Sequence, residues 1–210
     1  IVLRGAGRAF SVGGDVGWFG ELLSAGPDHV QAEITRTMQE AANPLVRAVA
    51  ECPVPVVAAV NGPCVGGAVG LALAADVVLA ARSAYFLVPQ LSALGIVPDM
   101  GVTWYLPRLV GRSRALGLAM LGGRIDAAQA EQWGMVWRCV DDARLAEEAD
   151  TLACQLGKLP AEAVRDTRRL MDRAPHRSLA EQLDDERVSQ NAHVASPHFD
   201  AACRKFLART

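Results

Sequence analysis

The sequence predicts an α/β fold that gives way to a helical C-terminal part, and three features predict it. Val56 to Val60 is a short, β-branched apolar run bounded by prolines and by Asn61-Gly62-Pro63, so it reads as a buried strand ending in a turn. Gly66, Gly67 and Gly70 then lead into the apolar stretch Leu71 to Ala75, giving the order strand, glycine-rich turn, helix. From Asp142 onward the pattern is nearly all helical. Strands alternating with helices imply a core sheet covered on both faces.

Taken in order, Ile1 to Leu3 reads as a strand end, Gly5-Ala6-Gly7 as a turn, and Ala9 to Asp15 as a second glycine-rich loop before a helix over Val16 to Leu23. Gly5-x-Gly7 opens like a dinucleotide fingerprint, but Phe10 stands where the third glycine belongs, and that reading is set aside. Val30, Ile34, Met38 and Ala41 keep helical spacing. Asn43-Pro44 predicts a fresh helix start, with Asn as cap and Pro in the first turn. After the central helix, Asp76 to Ala81 and Tyr85 to Val88 read as strands. Leu94 to Gly101 reads as a loop whose single carboxylate is Asp99, and Val102 to Val110 and Ser113 to Leu121 as helices. Gly122-Gly123-Arg124 is a turn, Asp126 caps a helix over Ala127 to Gln132, and Trp137 to Val140 is a last strand. Helices follow over Ala143 to Leu156, Ala161 to Asp172, Leu179 to Ala192 and Phe199 to Ala208. The expected division is an α/β core over residues 1–140 and a helical region over 141–210.

Composition narrows the function. A chain of 210 residues, 51% hydrophobic and 21% charged, is long enough for one well-buried domain with an appendage. A net charge of −2 without a basic stretch argues against a nucleic-acid partner. Asn61-Gly62-Pro63 interrupts the longest apolar run well short of a membrane span. Five scattered cysteines, odd in number and without a CxxC pair, suggest free thiols in a reducing, cytoplasmic compartment. No residue cluster has metal-ligand spacing, so no metal is expected. His29, His176, His193 and His198 lack a carboxylate at motif spacing and read as surface or packing residues.

The chemistry concentrates at the glycine-rich turns. The first N–H groups of a helix have no partner within it and sit at the positive end of its dipole, so Gly66-Gly67 can receive a negative oxygen. Tight helix–strand packing is the other use of the same glycines.

The segments Arg8 to Asp15, Ala59 to Gly67, Gly95 to Gly101, Leu106 to Gly111, Ala127 to Val140 and Phe206-Leu207 together resemble, in order, the crotonase superfamily, the enoyl-CoA hydratase/isomerase family. Asp99, Asn43-Pro44-Leu45-Val46 and Trp133 to Arg138 bring the pattern closest to members similar to ring-1,2-epoxyphenylacetyl-CoA isomerase. The resemblance implies a crotonase-like spiral of ββα units with a helical C-terminal trimerisation region. It implies an acyl-CoA thioester substrate without a separate cofactor, and a homotrimer or hexamer. Family members usually carry one more strand–helix unit upstream, which leads to the expectation that the stretch before Ile1 is missing. The resemblance also implies an oxyanion hole formed by the backbone N–H groups of Gly14 and Gly67. Phe10, Ser11, Gly13, Asp15, Gly66 and Gln90 are further candidates around the CoA and acyl group, with Asp15 expected to be a structural cap.

Two departures bear on the reaction. Hydratases of this family place one glutamate three residues after the second oxyanion glycine and another after a Phe-x-x-Pro segment. Gly70 stands at the first place, and Gln90, or Leu91 beside it, at the second. None of these side chains moves a proton, which argues against the usual addition of water. Asp99 remains, at a place where the resemblance implies a catalytic aspartate in the isomerases. Flanking Ile96, Val97, Pro98 and Met100 are expected to strip its carboxylate of solvent. The competing reading makes Asp99 the N-cap of a helix over Met100 to Leu106. The expected reaction is an enoyl-CoA double-bond shift with Asp99 as acid and base. A hydratase with relocated residues and a degenerate acyl-CoA-binding protein are the alternatives. Arg204, Lys205 and Arg209 read as a solvated helix face rather than as CoA-phosphate contacts. Val164, Leu170, Met171, Leu179, Leu183, Val188 and Phe206 exceed what a short helical tail can bury, which predicts an interface.

Overall fold

The computed structural model describes residues 1–208, in two units, Ile1–Cys154 and the remainder from Gln155. In the first unit β1 (Val2–Arg4) leads through the first glycine-rich loop to α1 (Val16–Ser24) and α2 (Pro27–Thr37). A π-helical segment, Met38–Ala42, joins α2 to α3 (Asn43–Ala50) without a break. The predicted fresh start at Asn43 is therefore corrected. Asn43 has a helical φ of −68°, and no side chain caps α3. One widened turn lets the chain pass Pro44, which lacks an N–H, without ending the helix.

A ββα order then repeats. β2 (Val57–Val60), β3 (Pro63–Val65) and α4 (Gly67–Leu73) form one unit, and β4 (Val77–Ala81), β5 (Tyr85–Leu87) and α5 (Gln90–Leu94) form the next. They are followed by α6 (Val102–Val110), α7 (Arg112–Leu121), β6 (Ile125–Asp126), α8 (Ala127–Gln132), β7 (Arg138–Val140) and α9 (Leu145–Leu156). One sheet has the order β1-β2-β4-β7 with every neighbouring pair parallel; the other runs β3-β5-β6. Every residue of β2 is buried, as a strand with both faces covered requires, and this explains its uninterrupted apolar sequence. The Asp76 carboxylate fixes the entry to β2 by accepting from the Val56 amide at 2.7 Å. Asp126 caps α8 as expected, its Oδ1 accepting from the Gln129 amide at 2.8 Å.

Strand β3 and helix α5 are absent from the sequence reading. β3 begins on a proline inside what looks like a turn, and the first residue of a strand is a place where the missing N–H is tolerated. α5 has only five residues, too few to display a period.

The second unit contains α10 (Ala161–Arg173), α11 (Leu179–Val194) and α12 (Pro197–Leu207). Ser178 and Glu181 close a capping box on α11, and Ser196 caps α12. His193 is a packing residue with a carboxylate beside it that lies 27 residues away, outside any motif spacing. Its Nε2 lies 2.9 Å from Asp166 Oδ2 on α10, and Arg169 reaches both Asp166 and the buried Ser189 hydroxyl. Met171, Leu179, Leu183, Val188 and Phe206 are all exposed in the single chain. Arg204 is paired with Asp200, while Arg209 lies outside the described residues. Among the described residues no helix is long and apolar enough to cross a membrane.

Candidate active site

The two glycine-rich loops are joined edge to edge. The Phe10 and Ser11 amides both donate to the Pro63 carbonyl, at 3.0 and 3.1 Å, and the Val65 amide donates to the Ser11 carbonyl at 3.0 Å. These bonds make Ser11 and Cys64 a parallel bridged pair. Asn61 ties the loops together from behind: its Oδ1 accepts from the Gly5 amide and its Nδ2 donates to the Gly7 carbonyl, each at 2.9 Å. In sequence Asn61 read only as a turn former; its bonds lie across 54 and 56 residues, where local spacing gives no signal.

From the bridge the loops run side by side, so Gly13-Gly14 and Gly66-Gly67 occupy matching steps beyond Ser11 and Cys64. Gly13 has φ 92°, and a Cβ there would stand 3.2 Å from the Val65 carbonyl oxygen. Gly66 has φ 67°, with Gly13 Cα 3.9 Å from where its Cβ would be. Both positions require glycine for conformation and for the close approach of the loops. Gly67 is the first residue of α4, so its N–H has no acceptor inside the helix. Neither the Gly14 nor the Gly67 amide donates to any of the described residues. Asp15 is a structural cap: its Oδ1 accepts from the Gly17 and Trp18 amides at 2.8 and 3.4 Å. Cys64 is fully buried in the bridge, and burial pushes its thiol far above the ordinary range, so it is not a nucleophile.

Asp99 faces this pair of loops from the turn before α6. Gly101, with φ 84°, precedes that helix, and no side chain caps it. The carbonyl of Asp99, not its carboxylate, accepts from the Val102 amide at 3.0 Å. The N-cap reading is thereby corrected, and the carboxylate is left for other work. Its Oδ1 lies 3.0 Å from where a Cβ on Gly67 would stand. Met100 has φ 50°, the only positive φ outside glycine among the described residues. Such a residue costs about 1–3 kcal/mol and persists only where its surroundings fix it. Here the Met100 side chain lies across Gly67, and its carbonyl sits against Gly70. The bare faces of Gly67 and Gly70 are therefore what the Asp99-Met100-Gly101 turn packs upon.

Of the two residues after Pro89, Gln90 enters the site. It is buried, and its Nε2 donates to Asp99 Oδ1 at 3.2 Å, whereas Leu91 is exposed. The expected apolar wrapping of Asp99 is corrected in part. Ile96 and Val97 are 49% and 76% exposed, while Gln90, Met100 and α4 lie against Asp99, which is half-buried. Among the described residues Asp99 forms no ion pair, and no group of three or more His, Cys, Asp or Glu is placed to hold a metal ion.

Across residues 1–210 the chain matches the model of the enoyl-CoA hydratase/isomerase family. The chain belongs to this family. It is 40% identical over 209 residues to the 1,2-epoxyphenylacetyl-CoA isomerase of Escherichia coli K12, covering 100% of this chain and 78% of that protein. It is 36% identical over 207 residues to a "Probable enoyl-CoA hydratase" of Rhodobacter capsulatus, covering 99% and 77%. A Mycobacterium abscessus crystal structure named for the same family superposes with a TM-score of 0.92 at 36% identity, covering 99% of this chain and 78% of that one. The ββα repeat thus has the crotonase fold, and the chain is a crotonase-family enzyme. Its relatives carry both hydratase and isomerase names.

Proposed function

We propose that this enzyme shifts a double bond in an enoyl-CoA thioester through an enolate, with Asp99 as the acid and base. The observation that carries the reading is Asp99 Oδ1 beside the start of α4, where Gly70 and Gln90 leave no second carboxylate. In this reading the thioester oxygen lies between the Gly14 and Gly67 amides, with Phe10, Ser11, Gly13 and Gly66 shaping the cradle. Such a donor stabilises the developing oxyanion, and losing one typically costs about 3 kcal/mol. Asp99 removes a proton from the carbon next to the carbonyl, and the electron pair forms the enolate. The same proton, returned two carbons further along, completes the shift with no net gain or loss. A base that takes and returns one proton needs no partner carboxylate and no cofactor, whereas adding water needs a second group to activate it. The free thiols suit a reducing cytoplasm.

The hydratase name of the Rhodobacter capsulatus relative supports a second reading, water addition with relocated residues. Steady-state assays separate the two: turnover of a 3-enoyl-CoA with negligible hydration of crotonyl-CoA supports the isomerase. The reverse overturns it, and binding of both thioesters with no turnover points to a degenerate binding protein.

The exposed apolar side chains of α10, α11 and α12 support a trimer-based oligomer. Sedimentation at low micromolar concentration is expected to give a trimer or hexamer; a fully active monomer would contradict it.

A further inference from the structure

We propose that Gln90 is the positioning residue for Asp99, and that its amide serves the carboxylate in both of its protonation states. The proposal rests on Asp99 as the acid and base and extends that reading to a side chain that moves no proton itself. Gln90 is only 7% exposed, and its Nε2–H is directed onto Asp99 Oδ1 at 3.2 Å. Its Oε1 is buried and accepts no hydrogen bond. A buried amide oxygen without a donor calls for an explanation, because most such atoms are satisfied. The Asp99 contact supplies one. With Asp99 ionised, the carboxylate accepts from Nε2 and holds the amide in this orientation, leaving Oε1 without a partner. Once Asp99 carries a proton it has an O–H to give and needs an acceptor. Rotating the amide by a half-turn brings Oε1 to the place of Nε2, where it accepts that O–H. The amide thus offers a donor to the ionised carboxylate and an acceptor to the protonated one, with one of its two polar atoms left unpartnered in each state.

The charge environment leaves this role to Gln90. Neither α4 nor α5, which flank the pair, carries a titratable side chain. From α6, Tyr105 lies with its ring against Gly101, and Arg108 is held on the carbonyl and ring of Trp104. From α3, Val46 touches Gly101, and Arg47 is the charged residue of that helix. Asp15, on the first loop, is engaged by the α1 amides. Gln90 also lies against Gly66, with Nε2 3.6 Å from where a Cβ there would stand, so the oxyanion turn and the base share one support.

The test compares Gln90→Met, Gln90→Glu and Asp99→Asn using kcat and KM for a 3-enoyl-CoA across pH 5–9. Removing the donor disfavours the charged carboxylate, and a second carboxylate disfavours it more. The acid limb of the kcat profile should move to higher pH in Gln90→Met, and by about one unit or more in Gln90→Glu, with KM within about threefold of wild type. A limb that stays in place while kcat falls assigns Gln90 a purely structural role and overturns the proposal. A measurement on the wild type does not depend on either variant folding. The side-chain amide resonance of Gln90 should titrate in step with that acid limb, and the titration should vanish in Asp99→Asn. An amide resonance that does not respond to pH overturns the proposal. If Asp99→Asn keeps full turnover, Asp99 as base fails by itself, while the amide titration still reports whether Gln90 follows Asp99.

Discussion

Asp99→Asn should lower the turnover of a 3-enoyl-CoA by about 10²–10⁴-fold, the range expected for loss of a positioned acid–base group. The substitution keeps size and shape while removing the basic lone pairs. The Val102 amide bonds to the backbone carbonyl of residue 99, so the turn that seats the side chain does not depend on the carboxylate. Met100 still packs on Gly67 and Gly70 in the variant. Thermal stability and KM should therefore stay close to wild type while kcat falls. Steady-state kinetics with a parallel melting curve separates this outcome from unfolding. Loss of activity together with loss of stability would place Asp99 in the scaffold instead.

Gly70→Glu should not turn the enzyme into a hydratase; it should unfold the site. A Cβ at Gly70 would fall on the carbonyl oxygen of Met100 and within 2.9 Å of the Val102 nitrogen. Both are backbone atoms and have no rotamer by which to move aside. Gly70 is buried in α4, so the rest of a glutamate would also be desolvated without a partner. Overpacking alone makes Gly70→Ala cost about 1–3 kcal/mol, and the buried charge makes Gly70→Glu worse. The displaced segment is the one that carries Asp99, so isomerisation should be lost along with stability. Urea denaturation gives the stability change directly. A Gly70→Glu protein with an unchanged midpoint that hydrates crotonyl-CoA would show that the turn yields freely.

These two substitutions also mark where sequence was informative. The buried β2 and the glycines after it were legible because a continuous β-branched run and a glycine cluster are local signals. The cap at Asp15 was legible for the same reason, since its acceptor and donors lie within three residues. Asp99 was visible as a lone carboxylate in an apolar loop, but its role was open until the helix proved to begin at Val102 behind Gly101. What remained hidden was tertiary. Asn61 bonds across more than 50 residues, Gln90 reaches Asp99 across a loop, and Met100 adopts a left-handed backbone that no local rule assigns to methionine. The absent glutamate at Gly70 could be read as a loss of function. Packing shows it to be a steric requirement of the turn that carries Asp99. The carboxylate beside His193 was hidden for the related reason that it comes from another helix.

The most direct test of Asp99 as the base is hydrogen exchange at the carbon next to the thioester. A 3-enoyl-CoA incubated in deuterated water with wild-type enzyme and with Asp99→Asn is followed by mass spectrometry and NMR. Wild type should introduce deuterium at that carbon, and Asp99→Asn should bind the thioester with similar affinity yet introduce none. Exchange at the wild-type rate by Asp99→Asn would contradict the assignment.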